Sequence, residues 1–90
     1  SDATMAAVKL SYFAWVRERI GKTEETIVVP EDVRDVGQLI DWLSGRGEEY
    51  AYAFENAKTI RAALDRKHVK HDAPLGDARE IAFFPPMTGG

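Results

Sequence analysis

Val8, Leu10 and Tyr12 alternate with Lys9, Ser11 and Phe13, the period-two pattern of a strand with one face turned to a core. Directly after it, Ala14 to Ile20 predicts a short helix stopped by Gly21, because glycine tolerates the backbone turn that closes a helix. Thr26-Ile27-Val28-Val29 is β-branched throughout and predicts a second strand, ended by Pro30. The first two strands, joined through so short a connection, are expected to pair. Asp35 is the expected N-cap of the next helix, where Val36, Leu39, Ile40 and Leu43 fall at i, i+3, i+4 and i+7 as one apolar stripe. Burying each such side chain stabilises by roughly 1.5–3 kcal/mol, so this helix is expected to cover the sheet. Gly45 and Gly47 end it, and Glu48 to Phe54 add a short helical turn carrying Tyr50 and Phe54. Ile60 to Leu64 and His68 to Lys70 flank Asp65-Arg66-Lys67 as a hairpin. A last strand, Glu80 to Phe84, stops at Pro85-Pro86, since proline cannot donate to a ladder.

Strand, strand, long helix, then more strands is the order of an α+β fold, a mixed sheet with one main helix packed across it. The first and last strands are its natural central pair. Ninety residues make one domain with a thin core, and 44% apolar with 30% charged residues is a globular balance. The chain has no cysteine, which removes disulfides, thiolate nucleophiles and cysteine-based zinc sites together. A net charge of −3 argues against generic nucleic-acid binding, which neutralises phosphates with excess Lys and Arg. The longest apolar runs fall far short of a membrane span, and no charged-then-apolar leader opens the chain, so a cytoplasmic location with no membrane partner is expected. Residues 1–4 precede Met5 and are set aside as an appended or processed leader. The folded domain is then 5–84, and 85–90 is a mobile, extended C-terminal tail.

That tail is where the chemistry concentrates. From Ile81 the chain reads Ile-Ala-Phe-Phe-Pro-Pro-Met-Thr-Gly-Gly, without a charged side chain, and stops at Gly90. The double proline holds the backbone extended. Gly89 and Gly90 remove every side chain beside the carboxylate, leaving a thread that fits a narrow slot. Met87 and Thr88 are adaptable or small, so desolvating the tail is cheap except at the carboxylate itself. A carboxylate is a poor electrophile and must first be activated, most simply as an acyl-adenylate made from ATP; it can then take up sulfur as a thiocarboxylate or form an amide with a lysine. Either step needs the carbonyl carbon inside another protein's active site. Ordering the tail there costs about 1–2 kcal/mol per residue in backbone freedom, and the prolines lower that cost by restricting the free chain.

These residues resemble a family, the small subunits of molybdopterin synthase, which are ubiquitin-like β-grasp sulfur carriers. Phe83-Phe84-Pro85-Pro86-Met87-Thr88-Gly89-Gly90 is similar to that family's terminal signature, with Met87 where a β-branched residue is common. Tyr12-Phe13-Ala14-Trp15-Val16-Arg17-Glu18-Arg19-Ile20-Gly21 is similar to its aromatic-Ala-x-hydrophobic-Arg-Glu-x-hydrophobic-Gly segment, and Ala73-Pro74-Leu75, Gly76-Asp77 and Glu80 to Phe84 to its Pro-Leu, acidic turn and last strand. The resemblance spans Met5 to Gly90. It implies that Gly90 is adenylated by an E1-like activating enzyme using ATP, is thiocarboxylated, and donates sulfur to a cyclic pyranopterin monophosphate inside the large synthase subunit. Gly89 would be the sterically required neighbour. Phe84, Pro85, Pro86, Met87 and Thr88 would bind the partner, with Phe84 as docking anchor. Two small and two large subunits would form the synthase, and the chain alone would bind no cofactor and catalyse nothing. The rival readings are a ubiquitin-like modifier joined through Gly90 to lysines, a carrier for thiazole synthesis, and an interaction domain with an inert tail.

Other signals read as structural. His68 and His71, with Asp72, read as two exposed histidines rather than a metal site, because strand side chains alternate. Residues 58–71 carry Lys58, Arg61, Arg66, Lys67 and Lys70 against Asp65, a local charge of +4 that leaves −7 for the rest. A solvated hairpin is the simpler reading, a docking patch for an acidic partner or RNA the sharper one. Trp15 and Trp42 read as partly buried core, and Gly45-Arg46-Gly47 as helix termination, not a phosphate loop.

Overall fold

The structure is a computed structural model describing residues 7–86; Met87, Thr88, Gly89 and Gly90 lie outside the described residues. Five strands, β1 (Ala7–Tyr12), β2 (Glu24–Val28), β3 (Arg61–Leu64), β4 (Lys67–Val69) and β5 (Glu80–Phe84), form one sheet. Its order is β2-β1-β5-β3-β4. The first and last strands are neighbours and run parallel, with Tyr12 opposite Phe83, while the other pairs are antiparallel. Helices α1 (Ala14–Ile20), α2 (Val36–Ser44) and α3 (Glu48–Ala53) and a 3-10 turn over Ala57–Thr59 complete the elements of the described residues.

Register sorts the side chains. Leu10 and Tyr12 of β1 sit beside Ile81 and Phe83 of β5, and Ala62 of β3 continues the row. Onto this inner face pack Val36, Leu39, Ile40 and Leu43 of α2, all buried, with Val16 and Ile20 of α1 and Tyr50 of α3. The four α2 positions are those the period-3.6 stripe selects. Asp35 caps α2 as expected: its Oδ1 accepts from the Gln38 N–H at 2.8 Å, while Gln38 Oε1 accepts from the Arg34 N–H at 2.7 Å, a close variant of the capping box. Gly21 closes α1 in the left-handed region at φ 85°.

The structure adjusts the bounds of β2 and of the hairpin, where β3 begins at Arg61 instead of Ile60. β2 begins at Glu24, two residues before the β-branched run, and ends at Val28. The hairpin turns on two residues, Asp65 and Arg66, both left-handed at φ 49° and 73°, so Lys67 belongs to β4 and Lys70 lies just beyond it. Two consecutive positive φ values match the twist of the flanking strands. They are held without glycine because Asp65 Oδ1 accepts the N–H groups of Arg79 and Glu80, each at 3.0 Å. Among the described residues no helix is long and apolar enough to cross a membrane.

Candidate functional site

Because β1 and β5 are parallel, the end of β1, the start of α1 and the exit of the chain at Pro85 share one end of the sheet. Alternation in β5 turns Ile81 and Phe83 to the core and Ala82 and Phe84 to the outer face. Phe84 is half-buried on the face opposite the one on which α2 packs, and Pro85 and Pro86 beyond it are half-buried as well. The His68 ring lies 5.0 Å from the Phe84 ring, tilted by 50°, and Arg61 is its register partner on β3. Phe13, one residue past β1, is 48% exposed, and its N–H donates to the Phe83 carbonyl at 3.1 Å. Ala14 follows at φ 55°, a left-handed conformation that costs a residue with a Cβ about 1–2 kcal/mol. The centre of the outer face is made of small residues, Ser11, Ala63 and Ala82.

Of the sequence-predicted site residues, Phe84, Pro85 and Pro86 come together here as the root of the tail. Met87, Thr88, Gly89 and Gly90 follow in sequence and fall outside the described residues. The histidines part company. His68 is exposed against Phe84, but His71 is half-buried, its Nε2–H donating to the Ile60 carbonyl at 2.7 Å, which corrects the expectation of two exposed rings. No group of three or more His, Cys, Asp or Glu among the described residues could hold a metal ion. Trp15 and Trp42 pack half-buried on the core rim, under the guanidinium groups of Arg19 and Arg46 respectively.

One charged centre escaped the sequence reading. Glu25 lies on the inner side of β2 opposite Leu10, its side chain 13% exposed. Oε2 accepts from the Tyr12 and Tyr50 hydroxyls, each at 2.7 Å, and Oε1 from Lys22 Nζ at 3.3 Å and Arg46 Nη1 at 3.4 Å. Burial pushes the carboxyl up, but the two phenol donors and the Lys22 ammonium outweigh it and hold it below the usual range. Burial and the bond to Glu25 push the Tyr12 hydroxyl up. The signal available was Glu25 in phase with Ile27, an acid on a core-facing position. Its folded pKa lies below its unfolded one, so its stabilisation is complete above the ordinary value of 4.5 and is lost as pH falls through the depressed value. Urea unfolding between pH 7 and pH 3 is expected to show an acid-side loss of stability that Glu25→Gln flattens. At pH 7 that variant should cost about 1–3 kcal/mol, through a misplaced donor among donors; parallel pH curves would exclude Glu25 as the titrating group.

A model described as the ThiS family matches residues 10–90. The Molybdopterin synthase sulfur carrier subunit of Escherichia coli (strain K12) is 40% identical over 83 residues, 92% of this chain and 99% of that one. The protein of the same description from Mycobacterium tuberculosis is 30% identical over 86 residues, 96% of this chain and 100% of that one. Among solved structures, small archaeal modifier protein 1 of Haloferax volcanii superposes with a TM-score of 0.68 at 22% identity, covering 91% of this chain and 99% of that one, a likeness of fold.

Proposed function

The chain belongs to the ThiS family, and on that premise we propose that it is the sulfur carrier subunit of a molybdopterin synthase, with the C-terminal carboxylate of Gly90 as the group that carries sulfur. The observation that supports this most is where the fold lets go of its last strand. β5 is a central strand, paired to β1 as far as Phe83 and to β3 as far as Phe84, and Pro85 then forbids further pairing. Among the described residues the core is assembled from positions 8–83, ahead of the Gly-Gly end, which supports the use of that end as a reagent.

In this reading a Gly90 carboxylate oxygen attacks the α-phosphate of ATP in an adenylating enzyme and pyrophosphate leaves. A sulfur nucleophile then displaces AMP to give the thiocarboxylate. The tail enters the large synthase subunit, where two successive carriers supply the two sulfurs of a dithiolene on a cyclic pyranopterin monophosphate. Gly89 and Gly90 have no Cβ, so the acyl carbon can be approached from either side. The acid, base and phosphate ligands belong to the partners, and this chain contributes position. The folded body docks, and docking raises the local concentration of the tail in the partner's slot. Phe84, beside Pro85 and Pro86, is the apolar anchor at the point where body and tail meet. An assembly of two carriers and two large subunits, working in the cytoplasm, completes the proposal.

Incubation of the full chain with an adenylating enzyme of this class, ATP and a sulfur donor, followed by intact-protein mass spectrometry, is expected to show one terminal oxygen replaced by sulfur. A terminus recovered unchanged would overturn the reading. Gly90 in isopeptide linkage to lysines would replace it with that of a modifier.

A further inference from the structure

The outer face around Phe84 is cationic in a way the sulfur-carrier reading does not require. Arg61 sits opposite Phe84 on β3. The β3–β4 pairing sets Ala62 opposite Val69, and one further step in that register puts Lys70 opposite Arg61, with both on the outer face. Like charges directly across a strand pair are unfavourable. Neither side chain has an ion pair or hydrogen bond among the described residues, whereas Lys9, Arg19, Lys22 and Arg46 each have a carboxylate partner. Nearby acids are otherwise engaged. Asp65 holds the N–H groups of Arg79 and Glu80. Asp72 lines the hollow against α2 with Asp35, Asp41 and Lys58. Glu80 shares the outer face but stands four residues back along β5, about 13 Å from Phe84 at the rise of a strand, and accepts from Ser11 Oγ.

We propose that Arg61 and Lys70, in line beside Phe84 on the β3–β4 side of the root of the tail, form a docking rim for carboxylates at the mouth of the groove in the protein partner that takes the tail. This rests on the reading of the chain as a sulfur carrier and adds to it the chemistry of the partner's rim. Arg61 offers a planar fork suited to a carboxylate, Lys70 a second point charge beside it, and Phe84 the apolar anchor between them and the tail. An acidic protein surface fits better than nucleic acid. Glu24 and Glu80 stand on the same outer face, and the chain outside the hairpin region carries −7, so a phosphate backbone laid along this face meets repulsion a few residues away. Charges at an interface rim act mainly on the rate of encounter.

Stopped-flow association of the full chain with the large subunit of molybdopterin synthase, and separately with the adenylating enzyme, tests this across a range of NaCl concentrations. Arg61→Gln/Lys70→Gln is expected to slow association with at least one of them by about tenfold at low salt and to flatten its salt dependence. Arg66→Gln/Lys67→Gln removes the same charge from the far end of the hairpin and is expected to leave the rate within about twofold. Equal slowing by both pairs would reduce the effect to net charge and overturn the rim, as would no slowing by the first. A labelled single-stranded RNA bound by the wild type and released by the first pair would reassign the face to nucleic acid. A wild type that is thiocarboxylated but shows no rim effect refutes this inference alone. One that binds neither protein and is never thiocarboxylated refutes the sulfur-carrier reading, and the rim with it.

Discussion

Removing Gly90 is expected to abolish sulfur transfer while leaving the unfolding midpoint unchanged, a complete separation of activity from stability. Appending one alanine after Gly90 should do the same. The extra residue moves the carboxylate by about 3.3–3.6 Å along the thread and adds a Cβ, and misplacing a reacting atom by even about 1 Å can cost roughly 100-fold. Stability is spared because, among the described residues, the last paired residue of β5 is Phe84 and the core is assembled from residues 8–83; changes outside such features usually stay within about 0.5 kcal/mol. Single-turnover transfer to the pterin substrate and thermal unfolding by circular dichroism measure the two halves. Residual transfer above a few per cent would show that the terminal carboxylate is not the carrier, and a lowered midpoint would make the tail structural.

Two neighbouring phenylalanines should give opposite results. Phe83 is fully buried, its ring 5.4 Å from Phe54 in an edge-to-face contact and 6.3 Å from Tyr12, stacked. Phe83→Ala is therefore expected to cost about 3–5 kcal/mol, a large part of the roughly 5–15 kcal/mol that holds a domain together. Phe84 projects from the other face against His68. Phe84→Ala should leave urea unfolding within about 1 kcal/mol and weaken binding to the large subunit by about 1–3 kcal/mol. Titration calorimetry beside urea melts separates the two. Loss of the folded state on Phe84→Ala would return that residue to the core, and unchanged affinity would remove it from the interface.

The elements whose ends are marked by backbone chemistry were the most legible. Ala14–Ile20 and Glu80–Phe84 begin and end as the chain predicts, because Gly21 accepts a left-handed φ and Pro85 has no N–H to donate. The α2 stripe was legible for a similar reason: four aliphatic residues at helical spacing have one sensible place to go. β2 was misjudged at its start because Glu24 and Glu25 are poor strand formers in isolation. What makes Glu25 acceptable there is a set of donors, Tyr12, Tyr50, Lys22 and Arg46, all outside β2 and all but Lys22 distant along the chain. His71 was misread on the same ground, since its acceptor, the Ile60 carbonyl, is set by chain crossing and not by spacing.

The candidate site divides along the same line. The uncharged, side-chain-poor end from Pro85 to Gly90 is a local property of the covalent chain, so its chemistry can be read without any fold. That Phe84 faces outward follows from alternation once Phe83 is assigned to the core. Its neighbours could not be read that way. His68 and Arg61 reach Phe84, and Lys70 stands beyond Arg61, only because the last strand inserts between β1 and β3, and pairing between distant segments is decided by the collective burial of one sheet face. The sequence alone therefore determined the uncharged Gly-Gly end and the main helix and strand segments. The tertiary structure decided what surrounds the root of the tail, because those contacts join residues that are far apart along the chain and are brought together only when the central strand is in place.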